Sequence, residues 1–324
     1  MQKINILVTA ASRRVALIRA FGRALQRLEL NGNVVTTDLN CLSPGLYFGN
    51  RHYIAPLTTD PGYIPLIKSI CANENIRLLI PTIDDELPIF GRHRQEFEEM
   101  GVRVAVSCER TGRVCNDKYA SYHFFKERGL PFARTWLPEE LDRERLEYPL
   151  FLKPRSGRGS VGAYRIKNER ELDFFLEYVS GAVVQEYLTG TEYTIDVLAD
   201  FEGRVISVVP RERMVVRSGV SDRGQTFRHS GLTKLAVETA EAIELRGAAN
   251  IQVKLEGDDA VIFEVNPRFS GGIPLTIAAG ADFPGWLVEM CLGRGPAPRI
   301  GDFTDGIVMA CYEEALFLPF KGDS

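Results

Sequence analysis

The strongest constraint on the fold is the regular alternation of strand-like and helix-like patterns over the first 106 residues. Residues 4–9 form a short apolar run typical of a buried strand. Residues 13–28 then carry Val15, Leu17, Ile18, Phe21, Leu25 and Leu28 at the spacing of one helical face. Strand patterns recur at 33–37, 77–80 and 102–106, and helical patterns at 63–72 and 86–100. Such alternation with short connections makes a parallel sheet with helices on both faces. A helix at 118–128, stopped by Gly129 and Pro131, and a strand at 132–136 lead into a different texture. From Pro149 onward strands crowd together at 150–153, 161–166, 182–186, 193–199 and 205–210. Only two helices intervene, at 169–179 and 233–245. Asp200-Phe201-Glu202-Gly203 and Glu256-Gly257-Asp258-Asp259 read as hairpin turns. An α/β unit is therefore followed by an α+β unit built on antiparallel sheets. A length of 324 residues agrees, being more than one ordinary core holds. The last residues, 321–324, are expected to fray.

Composition narrows the function classes. The chain is 45% hydrophobic and 25% charged, as expected of a globular protein in water. Its net charge of −4, with no long run of one sign, argues against a nucleic-acid surface. No apolar run approaches the roughly 18 residues needed to span a bilayer. The apolar run at 4–8 is too short for a signal-peptide core. The six cysteines form no CxxC pair, so neither a zinc site nor a disulfide framework is expected. Reduced thiols and a cytoplasmic location are the simplest reading.

Five stretches could carry chemistry. In Lys153-Pro154-Arg155-Ser156-Gly157-Arg158-Gly159-Ser160-Val161-Gly162, a lysine ends an apolar strand and a glycine-rich loop follows. Glycines let backbone N–H groups approach an anion, although a plain hairpin loop would read the same. The order GxxxxGK[ST] is absent, so this is not a P-loop. Gln185-Glu186-Tyr187-Leu188, with Glu192 beyond, ends another apolar strand. It can offer backbone groups to a flat heterocycle or simply form a surface edge. Gln252 and the segment Glu264-Val265-Asn266-Pro267-Arg268 lie on two strands joined by a hairpin turn. Residues two apart share a face, so Glu264 and Asn266 project together, with Phe263 and Val265 expected to face a core. Such polar groups on a buried-looking strand suit magnesium and a phosphoryl group. Thr9-Ala10-Ala11-Ser12 and Pro81-Thr82-Ile83-Asp84-Asp85-Glu86 follow parallel strands, where open α/β sheets bind ligands. The first lacks GxGxxG, which disfavours a dinucleotide. Asp84 and Glu86 could contact substrate or merely favour a helix start. Finally, residues 211–229 read as a mobile polar loop in which Arg213, Arg217 and Arg223 could grip an anionic substrate. His229 there reads as structural.

In this order, the pieces resemble the ATP-grasp superfamily, in particular its carbamoyl-phosphate-synthase-large-subunit-like branch. The resemblance covers nearly the whole chain. It runs from Pro81-Thr82-Ile83-Asp84-Asp85-Glu86-Leu87 through Asn116-Asp117-Lys118 and Lys153 with its loop to Glu186, Glu192, Gln252 and Glu264-Val265-Asn266-Pro267-Arg268. It implies a Rossmann-like parallel-sheet domain at 1–112, then an ATP-grasp fold with a nucleotide-binding subdomain at 113–187 and a metal and phosphate subdomain at 188–324. By the same resemblance Lys118 and Lys153 would meet ATP, and Ser156, Gly157, Gly159, Ser160 and Gly162 would close over its phosphates. Glu186 with Tyr187 and Leu188 would hold the adenine, and Glu192 the ribose. Gln252, Glu264 and Asn266 would bind Mg2+, with Mn2+ as an alternative ion. Arg268, with Lys153, would act in catalysis. Glutamine at 252 stands where many relatives carry an acid, which leaves the number of metal ions open.

The reaction so implied activates a small carboxylate as an acylphosphate and couples it to an amine. ADP and phosphate are released, and no side-chain nucleophile is needed. The absence of a Ser-His-Asp or Cys-His arrangement agrees. The chain has no room for the second half or the glutaminase of a carbamoyl-phosphate synthase, so a stand-alone ligase is expected. A homodimer would be compatible. A kinase that stops at a phosphorylated product and a non-catalytic nucleotide-binding module are the competing readings.

Overall fold

The computed structural model describes residues 3–318 apart from Arg158 and Ser218. The tail expected to fray, 321–324, lies outside them. Strands β1 (Asn5–Val8), β2 (Val34–Asp38), β3 (Arg51–Ile54), β4 (Ile76–Ile80) and β5 (Arg103–Val104) form a parallel sheet in the order β3-β2-β1-β4-β5. Central β1 is buried along its whole length, which is why all but Asn5 are apolar, the Asn5 amide being satisfied by the Glu74 carbonyl and the Asn33 N–H. Helix α1 (Val15–Arg27) turns Leu17, Ile18, Phe21 and Leu25 onto one face of the sheet. Helices α2 (Tyr63–Asn73) and α3 (Leu87–Glu99) supply Tyr63, Ile67, Phe90 and Phe97 to the core of the other face. The strand order reverses between β1 and β4, so a crevice opens at their carboxyl ends. There the Thr82 hydroxyl donates to the carbonyls of Thr9 and Ala10 at 3.0 and 2.8 Å, stitching the two loops together.

Helix α4 (Glu109–Asn116) leads into α5 (Lys118–Lys126), whose N-cap, Asp117, accepts from the backbone of Tyr119 and Ala120. A four-stranded sheet follows in the order β6-β9-β7-β8, from β6 (Thr135–Trp136), β7 (Leu150–Pro154), β8 (Tyr164–Ile166) and β9 (Ala182–Glu186). Its pairings are antiparallel, and α6 (Glu169–Tyr178) covers its apolar side with Leu172. The second antiparallel sheet has the order β14-β13-β10-β11-β12-β15. Its strands are β10 (Thr191–Ala199), β11 (Val205–Arg217), β12 (Val220–Thr226), β13 (Gly247–Glu256), β14 (Asp259–Asn266) and β15 (Val308–Ala310). Helix α7 (Ser230–Ala242) packs on it through Leu232, Leu235 and Ala236. Helices α8 (Ile273–Ala278) and α9 (Phe283–Cys291) bridge back to the first unit. Phe283, Trp286 and Leu287 share one apolar core with α1, β1 and β4.

The expected classes stand: a parallel sheet first, antiparallel sheets after. The stretch 211–229 differs from expectation. It is a β-hairpin for most of its length, because β11 runs on to Arg217 and pairs with β12. Its inward positions are arginines, Arg211 and Arg213, each held by a carboxylate from β10. Buried, paired charges look like loop residues in a sequence.

Candidate functional site

The apolar faces of the two antiparallel sheets do not close on each other everywhere. Between them lies a cavity of about 330 Å³. β7 contributes Phe151 and Lys153, and β9 contributes Gln185 and Glu186. From the opposite sheet come Glu192 on β10, Arg213 on β11, Gln252 and Lys254 on β13, and Phe263 and Glu264 on β14. Gly157, Gly159 and Ser160 of the loop after β7 roof it, while Lys118, Tyr187 and Leu188 complete the lining.

Lys153 is 4% exposed, and its ammonium donates to the Phe263 carbonyl at 3.4 Å. Among the described residues no carboxylate lies within ion-pair distance of it. Burial pushes it down to about 8, against the opposing pull of Glu264, and the charge of Lys118 adds to the depression. A buried cation this poorly matched calls for an anion in the cavity. Lys118, first residue of α5, donates to the Gly157 carbonyl at 3.1 Å and so ties the glycine loop to the helix.

Gln252 and Glu264 lie on adjacent antiparallel strands, as expected, and are direct cross-strand partners. Beyond them the register slips. Val253 pairs with Ile262, leaving Phe263 as an extra residue on β14. This bulge corrects the expectation that Phe263 faces a core. Ile262 and Val265 are buried, whereas Phe263 turns to the cavity beside Glu264. Asn266 lies past the cavity wall. Its amide donates to Glu264 Oε1 at 3.1 Å, and its Oδ1 accepts from Arg268 at 3.3 Å. Glu264, Asn266 and Gln252 offer one carboxylate and two amide oxygens, hard donors that fit Mg2+ completed by water and phosphate.

Arg268 also stands outside the cavity lining. Its Nε and one terminal nitrogen both reach Asp84 Oδ2, at 3.0 and 2.8 Å. Asp84 does start a helical turn, Asp84–Glu86 leading into α3, and its carboxylate also holds this arginine across from the parallel sheet. Glu86 is turned away altogether. It is 1% exposed and bonded to the Tyr63 hydroxyl, and burial raises its carboxyl to about 7. A substrate cannot reach it there. Arg217 and Arg223 likewise do not line the cavity. Arg217 is exposed and faces Glu313 at 3.7 Å, and Arg223 is exposed on β12. Arg217, four residues past Arg213, would share its face in a regular strand; the register shifts between Arg213 and Val216 turn Val216 to the cavity in its place. Only Arg213 of the three tentative arginines reaches the site. His229 accepts from the Leu232 N–H and caps α7, the structural role expected of it.

Glu186 lines the cavity, but its carboxylate is taken up by the backbone N–H and Nε of Arg134, at 2.8 and 2.7 Å. Glu192 faces Arg213 at 2.6 Å and Lys254 at 3.4 Å. Ser156 and Gly162 belong to the loop without reaching the wall, and Arg158 lies outside the described residues. Lys254 and Phe151 went unnoticed in the sequence. Lys254 was findable, standing two residues after Gln252 on one strand. A larger open hollow of about 590 Å³ beside α7 offers no comparable chemistry. There Arg228 braces the carbonyls of Gly301 and Phe303.

The chain is similar to several known proteins. Residues 6–105 match the family model described as PylC-like, N-terminal domain. Residues 179–315 match the model for an ATP-grasp in the biosynthetic pathway with Ter operon. The carbamoyl phosphate synthase arginine-specific large chain of Bacillus subtilis is 22% identical over 271 residues, 78% of this chain and 25% of that protein. The chain thus spans a quarter of that relative's length. The D-alanine–D-alanine ligase of Petrotoga mobilis is 23% identical over 229 residues, 63% of this chain and 76% of that one. Among solved structures, the biotin carboxylase domain of Hydrogenobacter thermophilus 2-oxoglutarate carboxylase superposes with a TM-score of 0.73. It was determined as a dimer with MgADP, ADP and bicarbonate. At 18% identity it covers 95% of this chain and 74% of its own, and the likeness is one of fold. Among the described residues, no helix is long and apolar enough to cross a membrane.

Proposed function

Since the chain belongs to the ATP-grasp superfamily of ATP-dependent ligases, we propose that it activates a small carboxylate with ATP and couples it to an amine. The observation that carries this reading is Lys153. It is a buried cation with no carboxylate partner among the described residues, in a cavity whose facing wall offers Glu264 and Gln252. The triphosphate would lie along Lys118, Lys153 and the loop 156–162, with the base toward Glu186, Tyr187 and Leu188. Because the Glu186 carboxylate is engaged by Arg134, backbone groups of that segment would hold the adenine. The Glu264 carboxylate, with Asn266 and Gln252 beside it, would anchor Mg2+, which supplies charge neutralisation at the phosphates.

The chain's own residues do the rest by position and charge. The substrate carboxylate oxygen attacks the γ-phosphorus, the bond to the β-phosphate oxygen breaks, and ADP leaves. The amine nitrogen then attacks the acyl carbon, phosphate departs with the bonding pair, and the amine gives up a proton. Arg268, fixed by Asp84, would stabilise the phosphoryl group in both steps, and the glycine loop would exclude water from the acylphosphate.

The test is a screen of carboxylate and amine pools with ATP. Release of ADP and phosphate should require both partners. Glu264→Ala should reduce turnover at least 100-fold, on the order of one lost transition-state contact. Phosphate that stays on the substrate would instead identify a kinase. Nucleotide binding without any Mg2+-dependent turnover across the screen would leave a non-catalytic module.

A further inference from the structure

Among the described residues, Arg213 is the one arginine of the cavity wall. Its side chain is 5% exposed. Its guanidinium meets Glu192 Oε1 at 2.6 Å, Gln252 Oε1 at 3.3 Å and the Gly219 carbonyl at 2.8 Å. Its Nε is buried without a hydrogen-bond partner. Burying a charge so incompletely matched is expensive unless a further anion faces it. Glu192 does not suffice, because Lys254 shares it.

The balance of the whole wall points the same way. Glu186 is neutralised from outside by Arg134. Among the described residues, Lys118, Lys153, Arg213 and Lys254 then face only Glu192 and Glu264, which leaves two positive charges in surplus. A triphosphate brings about four negative charges. One divalent ion makes the assembly neutral, and a second would overshoot. Gln252 brings no charge to hold a second ion. Its amide oxygen, the donor that ion would need, already accepts from Arg213. Repulsion from an adjacent guanidinium outweighs what one uncharged oxygen returns to a divalent cation.

We propose that Arg213 is the second cation of this site. Its guanidinium grips the triphosphate from the Gln252 side, and the chain takes up a single divalent ion at the Glu264 carboxylate, the Asn266 oxygen likewise accepting from the Arg268 guanidinium at 3.3 Å. This rests on reading the cavity as an ATP site. Mn2+ can stand in for Mg2+, and its unbound fraction is counted by electron paramagnetic resonance. With one equivalent of a non-hydrolysable ATP analogue, the wild-type chain should bind one Mn2+. The double variant Arg213→Met, Gln252→Glu should bind two, and Arg213→Lys should remain at one. Thermal unfolding of each variant checks that it folds. Two bound ions in the wild type overturn the proposal. So does one ion in a double variant that unfolds at the wild-type temperature. Should the double variant not fold, the wild-type and Arg213→Lys counts still decide. Failure of the analogue to bind the wild type would instead sink the ATP-site reading itself.

Discussion

Lys153 keeps a charge where burial works against it, and that gives it a distinctive pH signature. Its ammonium titrates near 8, well below the usual lysine value of about 10.4. Phosphate prefers the charged form, so affinity for an ATP analogue should fall as pH rises through about 8. The limiting slope is about tenfold per pH unit. Lys153→Met should bind weakly and show no such slope. Stability has the opposite sign. Between about 8 and 10.4 the unfolded chain still holds the proton that the native chain has released, so this residue's contribution to stability rises with pH across that window. Calorimetric affinities from pH 7 to 9.5 provide the check. A flat wild-type profile would remove Lys153 from the phosphate site.

At the scale of elements, the site depends on two backbone devices in the second antiparallel sheet. The first is the bulge at Phe263, which places two successive side chains, Phe263 and Glu264, on the cavity face. A strand of strict period two presents only one of them. The second is the turn between β11 and β12. At Gly219, with φ of 74°, an added Cβ would stand 2.8 Å from the Gly159 Cα. The hairpin turn and the glycine loop therefore touch backbone to backbone, directly above the cavity. Gly219→Ala should strain the turn by about 1 kcal/mol and push the loop off it. We expect several-fold weaker analogue binding and faster proteolysis within 156–162, with the far cores unaffected. Unchanged binding and cleavage would mean that this contact does not govern closure.

At the scale of the molecule, one ion pair joins the two halves of the chemistry. Arg268 comes from the end of β14 and Asp84 from the loop after β4, and their side chains are 12% and 9% exposed. Asp84→Asn keeps the shape and removes the charge. It should cost about 2 kcal/mol of stability, as for a hydrogen bond to a charged group. It should also lower kcat by an order of magnitude while leaving analogue affinity near wild type. A change in affinity alone would mean that Arg268 serves nucleotide binding instead. The architecture itself was largely legible in the residues. Apolar runs at 4–9 and 77–80 must be buried on both faces, and helical stripes such as Leu17, Ile18, Phe21 and Leu25 must cover them. Lys153 ending an apolar strand, and Gln252 and Glu264 on the two strands of one hairpin, follow from local periodicity. Local pattern determines strands, helices and which neighbours share a face. It does not determine where a buried charge finds its partner, because that partner is distant in the chain. Thus Arg211 and Arg213 read as loop until β10 supplies Asp196 and Glu192, and Asp84 reads as only a helix start until Arg268 arrives from 184 residues away. The bulge likewise exists only in the pairing of β13 with β14. Only the tertiary structure decides these points, since each is a pairing between separate elements, and the free energy of burying a charge depends on what is packed against it.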